Sequence, residues 1–145
     1  MYNIKPLFLT LFSGLLFLHL CLGAEEYEFA GHHLIASYLQ CNAEALNDVD
    51  QLEAIMAEAV KASGVQILSS TKHVFPGNGL TMVFLLSESH ASIHTYPEHN
   101  ACFVDLFTCG HSCVHANFEN ILEAYLQPAQ IDKHHFYRDT QTIEE

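Results

Sequence analysis

The side chains best suited to chemistry are crowded between positions 85 and 98, where the sequence reads LLSESHASIHTYPE. This stretch combines serine hydroxyls, which can act as nucleophiles, with glutamate carboxylates and with histidine imidazoles that titrate near neutral pH. Alternation along a strand places His90, Ser92 and His94 on one face and the residues between them on the other. A polar strand face is either solvated or lines a polar pocket. The spacing alone does not separate a nucleophile and its base from a solvated face.

A second group of reactive side chains follows: Cys109, His111, Cys113 and His115. Thiolates and imidazoles are the ligands that zinc prefers. Ligands on alternate residues of an extended segment point the same way, so they can surround one ion only if the chain turns sharply, for example at Gly110. The spacing also differs from the usual about two to four residues between paired zinc ligands. The sequence therefore favours no native metal site.

The elements that must position these side chains are predicted from the apolar pattern. Apolar residues at helical spacing predict a helix from a cap at Asn47 or Asp48 to about Ser63. The continuous apolar run Leu80–Leu86 is typical of a strand buried on both faces. Further strands are predicted at 29–39, 65–75, 90–96, 101–108 and 131–138, with a turn at 76–79 and a second helix from a cap at Asn117 to Leu126. This order predicts an α+β fold, a two-layer sandwich of a mainly antiparallel sheet with helices on one face.

Residues 1–24 have the layout of a secretory signal peptide. Lys5 provides a basic start, residues 7–22 are almost wholly apolar, and Gly23 and Ala24 suit cleavage. An uncleaved membrane anchor is the alternative. We rank it second because the apolar run is slightly shorter than the ~20 residues that a membrane span needs. We therefore expect one mature domain over residues 25–145, exported to the periplasm or medium or held at the membrane. Activity in the cytoplasm is the remaining alternative.

The charge balance restricts the partners. The formal net charge is −12, from 17 acidic and 5 basic residues. Such a field repels nucleic acid and anionic lipid, so we expect a small-molecule partner, no nucleic acid, and membrane contact only through residues 1–24. Removal of the leader takes away Cys21 and leaves an even number of cysteines, which permits two disulfides in an oxidising compartment. The sequence does not define their pairing among Cys41, Cys102, Cys109 and Cys113.

The segment LSESHASIHTYPE, followed by ACFVDLFTCG, resembles the S-adenosylmethionine decarboxylase proenzymes of the short prokaryotic type. The segments FAGHHLIASYLQC and SSTKHVFPGNGLT resemble further blocks of that family, at matching spacing. The resemblance covers roughly residues 29–126 and implies a self-cleaving, pyruvoyl-dependent decarboxylase.

The resemblance also implies which residues act. Cleavage between Glu88 and Ser89 would give a β chain of residues 25–88 and an α chain of residues 89–145. Ser89 would attack the Glu88 carbonyl and become the pyruvoyl group, which forms a Schiff base with the substrate amine. His94 would be the processing base that takes the Ser89 α-proton, and Cys109 the acid that returns a proton to the substrate carbon.

Four more residues match substrate-binding positions of the family. Phe75 and Tyr96 would hold the adenine between their rings, and Glu98 would contact the ribose hydroxyls. Thr81 stands where serine is common and keeps the hydroxyl. From the residues alone, Phe75 is equally compatible with core packing. The family's dimers of processed chains imply that this chain forms a homodimer of αβ pairs.

The implied function is decarboxylation of S-adenosylmethionine, which yields the aminopropyl donor for spermidine synthesis. One alternative is the same cofactor chemistry on a basic amino acid, ornithine or arginine, since an exported enzyme would meet little S-adenosylmethionine. The other is a non-catalytic binding protein of the same fold, which the presence of Ser89, His94 and Cys109 disfavours.

Overall fold

The computed structural model describes residues 29–109 and 112–139; the predicted leader, with Cys21, and His111 lie outside these ranges. The elements are β1 (Gly31–Leu39), α1 (Ala43–Asn47), α2 (Val49–Ala62), β2 (Ile67–Val74), β3 (Leu80–Leu86), β4 (Ser89–Tyr96), a 3₁₀ turn (Pro97–His99), β5 (Ala101–Thr108), α3 (His115–Leu126) and β6 (Gln130–Arg138). The predicted order of strands and helices is confirmed, with α1 as an addition.

All six strands form one sheet in the order β2-β3-β4-β5-β1-β6, and every neighbouring pair is antiparallel. Alternate residues of the central strands, among them Leu34, Ile93 and Leu106, are buried in one core with Met56 of α2 and Leu122 of α3. The predicted α+β sandwich with helices on one face is therefore confirmed. None of the described helices combines the length and the apolarity needed to cross a membrane.

Side-chain caps explain where the first two helices begin. Asn42 Oδ1 accepts hydrogen bonds from the Glu44 and Ala45 amides at 2.9 and 3.1 Å, which starts α1. Asp48 Oδ1 accepts from the Gln51 amide at 3.1 Å, so the predicted cap of α2 at Asp48 is confirmed.

The predicted cap of the second long helix is wrong. The helix α3 begins at His115, two residues before Asn117, and its first turn has no side-chain cap. Asn117 Nδ2 instead donates to the Ala62 carbonyl at 2.8 Å, at the carboxyl end of α2. The side-chain amide of Asn117, which was predicted to cap its own helix, thus makes a tertiary contact with another helix.

The prediction that β3 is buried on both faces is also wrong. Met82, Phe84 and Leu86 pack under the helices, whereas the Leu85 side chain is 52% exposed. Helices cover only one side of the sheet, so the apolar residues of the other side face outward. We call this uncovered side the open face. Its central row, read across the strand register, is His134, Ile35, Asp105, Ser92, Val83 and Thr71.

Candidate active site

The bond predicted to be cleaved lies in the tight turn between β3 and β4. Ser89 is the first residue of β4, and its register partners are Leu86 and Thr108. Its φ angle is 157°, in a region that residues with a side chain adopt only with strain. The Ser87 amide donates to the Gln66 carbonyl at 3.0 Å, which fixes the start of the turn. The serine that the sequence predicts as the nucleophile therefore has an unusual backbone conformation.

Cys109 lies beside this turn, because β5 pairs with β4 and ends one residue before it. The Cys109 amide donates a hydrogen bond of 3.1 Å to the Glu88 carbonyl oxygen, the carbonyl of the predicted cleavage bond. The Glu88 side chain is half-buried, and its Oε2 has no hydrogen-bond partner within the described ranges. We call Glu88, Ser89 and Cys109 the cleavage-site group. The sequence did not indicate the role of the Cys109 amide.

A pocket of about 240 Å³ lies at the opposite end of β4. It is lined by Phe75, Pro76, Gly79, Thr81, His94, Thr95, Tyr96 and Glu98. We call this the aromatic pocket. It contains all four residues predicted to bind substrate, together with His94. The hairpin that forms one wall is closed by the Phe75 amide, which donates to the Gly79 carbonyl at 2.7 Å.

Hydrogen bonds orient two side chains in the aromatic pocket. Thr81 Oγ1 and His94 Nδ1 are 2.9 Å apart, because β3 and β4 pair these residues directly. This bond holds the imidazole in one orientation and leaves Nε2 available. Thr95 Oγ1 accepts from the Leu80 amide at 2.9 Å. The sequence had not singled out Thr95, whose hydroxyl is buried among apolar side chains.

Each of the two aromatic rings of the pocket contacts a neighbouring ring that helps to hold it in place. Phe75 is 48% exposed, so it does not pack in the core, and its ring contacts His73 with centroids 4.5 Å apart. Tyr96 is 39% exposed and contacts Phe103 at 5.4 Å. Exposed apolar rings held in place by their edges are suited to stacking on a flat ligand.

The structure does not bring His94 to Ser89 within one chain. The two residues are five positions apart on β4, which corresponds to roughly 16 Å along an extended strand. One copy of the chain therefore contains two separate half-sites, the cleavage-site group and the aromatic pocket.

Between the half-sites, the open face carries a polar cluster in which Ser92 meets two residues that the sequence did not indicate, Asp105 and His33. Ser92 Oγ donates to Asp105 Oδ2 at 3.1 Å, and His33 Nε2 lies 3.7 Å from Asp105 Oδ1. Burial lowers the pKa of His33, although Asp105 opposes this effect. The signal in the sequence was the single acidic residue inside the otherwise apolar strand ACFVDLFT.

Side chains of the kind that zinc prefers occur at Cys109, His111, Cys113 and His115. Within residues 29–109 and 112–139, no three histidine, cysteine or acidic side chains are grouped so that they could hold a metal ion. His111 lies outside those ranges.

Comparison with known proteins agrees with the geometry. The family model for S-adenosylmethionine decarboxylase matches residues 32–139. An S-adenosylmethionine decarboxylase proenzyme of Methanococcus maripaludis is 40% identical over 103 residues, which cover 70% of this chain and 84% of that protein. A proenzyme of the same name from Thermotoga petrophila is 44% identical over 80 residues, 55% of this chain; the match spans only 62% of the relative's length.

A solved structure gives the same assignment. The crystal structure of the adenosylmethionine decarboxylase from Aquifex aeolicus superposes with a TM-score of 0.72 and 31% sequence identity. The match covers 81% of this chain and 98% of that one. Sequence family, relatives and fold agree, and the chain belongs to the S-adenosylmethionine decarboxylase family.

Proposed function

We propose that this chain is a self-cleaving carboxy-lyase that decarboxylates S-adenosylmethionine. The observation that carries the proposal is the hydrogen bond from the Cys109 amide to the Glu88 carbonyl, next to a strained Ser89. A donor aimed at that oxygen polarises the carbonyl and stabilises negative charge that develops on it.

Self-cleavage follows from these groups. Ser89 Oγ adds to the Glu88 carbonyl carbon, and the Cys109 amide stabilises the resulting oxyanion. Collapse breaks the C–N bond and leaves an ester between Glu88 and the Ser89 side chain. Removal of the Ser89 α-proton then expels the Glu88 carboxylate, and the unsaturated residue 89 hydrolyses with loss of ammonia. The pyruvoyl group that remains at residue 89 begins the α chain.

The residues around position 89 suit that group. When formed, the pyruvoyl carbonyl supplies an electron sink for decarboxylation of a bound amine. The β4–β5 pairing brings Cys109 next to this position, and we assign to its thiol the delivery of a proton to the substrate carbon. Glu88 Oε2, which has no hydrogen-bond partner within the described ranges, is an acceptor at the same place that the substrate amine can use.

The aromatic pocket supports S-adenosylmethionine rather than ornithine or arginine. Phe75 and Tyr96 present two exposed rings to the pocket, and Glu98 adds one carboxylate able to accept hydrogen bonds from ribose hydroxyls. An aliphatic amino acid would use neither ring. The decarboxylated product of S-adenosylmethionine is the aminopropyl donor for spermidine synthesis, so the enzyme would take part in polyamine formation.

The separation of the half-sites supports a homodimer of processed αβ pairs. Leu85, Phe103 and Phe136 are all exposed on the open face, an apolar surface that a second copy would bury. If two open faces pack about a two-fold axis with their β4 strands in opposite directions, the end of β4 that carries the cleavage-site group in one copy lies opposite the end that carries the aromatic pocket in the other. His94 would then act on the partner's Ser89, across the interface.

We also propose that the chain acts outside the cytoplasm or at the membrane, from the signal-like pattern of residues 1–24. Sequencing the amino terminus of protein purified from fractionated cells tests this. Export predicts a mature chain that begins near residue 25 in the periplasmic or external fraction. A chain that starts at Met1 in the cytoplasmic fraction would contradict it.

Mass spectrometry of the purified protein tests the function. We expect a β chain that ends at Glu88 and an α chain that starts with a pyruvoyl group, whereas Ser89→Ala stays in one piece. A wild-type chain that is still intact after long incubation would contradict the proposal and favour the non-catalytic alternative. Carbon dioxide release from S-adenosylmethionine, compared with ornithine and arginine, then identifies the substrate.

A further inference from the structure

Two buried cysteines lie together where the first and fifth strands meet. Cys41 follows β1, and its amide donates to the Asn100 carbonyl at 2.8 Å. Cys102 is the second residue of β5 and stands opposite Tyr38 in the β1–β5 register. Their exposed fractions are 6% and 0%, and both belong to the same core. Neither thiol has a part in the site described above.

The side chains of this pair interact directly. A hydrogen bond from the Cys102 thiol lowers the pKa of Cys41, even though burial opposes this. The same contact, together with burial, raises the pKa of Cys102. Cys41 is thus the thiol whose pKa is lowered, and it is the less deeply buried of the two. A lowered pKa favours the thiolate, which is the attacking species in disulfide exchange.

The two cysteines lie on opposite sides of the proposed cleavage bond in the sequence. Cys41 precedes Glu88 and belongs to the β chain, whereas Cys102 follows Ser89 and belongs to the α chain. The two strands they adjoin, β1 and β5, are neighbours at the centre of the sheet. After cleavage, only non-covalent contacts join the two chains at this position.

We propose that Cys41 and Cys102 form a disulfide in an oxidising compartment, and that this bond rejoins the two chains left by cleavage. The oxidant is a low-molecular-weight or protein disulfide. The Cys41 thiolate attacks one of its sulfurs and releases a thiolate; Cys102 then loses its proton and displaces the second thiolate from Cys41. Two thiols of this chain are oxidised and one external disulfide is reduced to two thiols.

This pairing leaves the reactive cysteine of the site free. Cys109 and Cys113 are only partly buried and lie at the far end of β5, some six or more residues beyond Cys102, which is about 20 Å along a strand. A bond confined to the buried pair strengthens the assembly without consuming the Cys109 thiol. The joining of two chains rests on the proposed self-cleavage; the disulfide itself does not.

The test uses the full chain, equilibrated with oxidised glutathione, treated with an alkylating reagent, denatured, and run on reducing and non-reducing gels. We expect two bands with reductant and one band without it. Two bands on both gels mean that cleavage occurred without the disulfide, which overturns this inference alone. One band on both gels means that cleavage failed, which counts against the proposed function and not against the disulfide.

Peptide mapping identifies the pairing in either case. A protease that cuts before aspartate releases Cys41 in a peptide that ends at Asn47 and Cys102 in one that ends at Val104, apart from Cys109 and Cys113. We expect the first two peptides to be joined in the oxidised protein, including in uncleaved Ser89→Ala. Cys113→Ser should keep this link, and Cys102→Ser should lose it. Fully alkylated Cys41 and Cys102, or a link that involves Cys109 or Cys113, would overturn the inference.

Discussion

At the residue scale, Cys109 offers two different groups to the proposed reactions. Its amide donates to the Glu88 carbonyl at 3.1 Å, and its side chain carries a thiol. In the proposed mechanism the backbone serves self-cleavage and the side chain serves turnover. A substitution that changes the thiol and keeps the amide should therefore separate the two reactions.

We expect Cys109→Ala to be cleaved normally but to turn over about 10²- to 10⁴-fold more slowly, the usual cost of losing a general acid. Chain composition by mass spectrometry and carbon dioxide release from S-adenosylmethionine measure the two steps. Cys113→Ala, a neighbouring and also partly buried thiol, serves as the matched control and should stay within a few-fold of wild type. A fully active Cys109→Ala would remove this residue from the mechanism.

The Thr81–His94 hydrogen bond of 2.9 Å predicts a positioning role for the threonine. Thr81→Val keeps the shape of the side chain and removes the hydroxyl, so the imidazole loses its fixed orientation. A typical hydrogen bond contributes about 0.5–1.5 kcal/mol, which corresponds to a fall of up to roughly ten-fold in kcat/KM and in the cleavage rate. Thr81→Ser restores the hydroxyl and should restore both rates. Equal rates in the two variants would contradict the role.

At the scale of elements, the sequence predicted correctly the strand bounds and helix starts that depend on local interactions. Strand β5 was predicted with the bounds that the structure has, and α2 begins after the predicted Asp48 cap. The five-residue α1 was missed because one turn and a half has no apolar periodicity. The start of α3 was misplaced because Asn117 binds the end of α2, a contact that depends on how the two helices pack.

The Asp48 cap predicts an effect on stability that is separate from activity. Asp48→Ala leaves the Gln51 amide in the first turn of α2 without its side-chain acceptor, and we expect a loss of about 1 kcal/mol in the free energy of unfolding. Urea denaturation of uncleaved Ser89→Ala protein measures this without interference from processing. Glu58→Ala, at an exposed position of the same helix, is the control and should change stability by less than about 0.5 kcal/mol. Equal effects would argue against the cap.

At the scale of the whole molecule, the apolar open face and the separation of the half-sites both favour association of two copies. A single chain leaves apolar side chains such as Leu85 exposed and keeps His94 about 16 Å from Ser89. The proposed face-to-face dimer would bury the apolar side chains and bring His94 of one copy towards Ser89 of the other. It therefore predicts that one copy supplies the imidazole that processes the other.

Subunit complementation tests this prediction. Ser89→Ala cannot be cleaved, and His94→Ala should be cleaved poorly on its own, but each retains the half-site that the other lacks. Co-expression should restore cleavage of the His94→Ala chain, with about half of its copies in mixed dimers if pairing is random. Mass spectrometry distinguishes the two chains. The control partner is the Ser89→Ala/His94→Ala double variant, which should restore nothing. An intact His94→Ala chain in both mixtures would place the base within its own chain.

The sequence by itself determined the α+β class and the order of elements, because these depend on residue types and local periodicity. Its resemblance to a known family identified the family and predicted the reactive residues. Only the tertiary structure decided which of those residues meet. Pairing of β4 with β5 brings Cys109 to the Glu88 carbonyl, and pairing of β3 with β4 brings Thr81 to His94. The same strand that carries both Ser89 and His94 keeps them apart, since an extended chain gains distance with every residue. Closeness in sequence suggested one site, and strand geometry divided it into two.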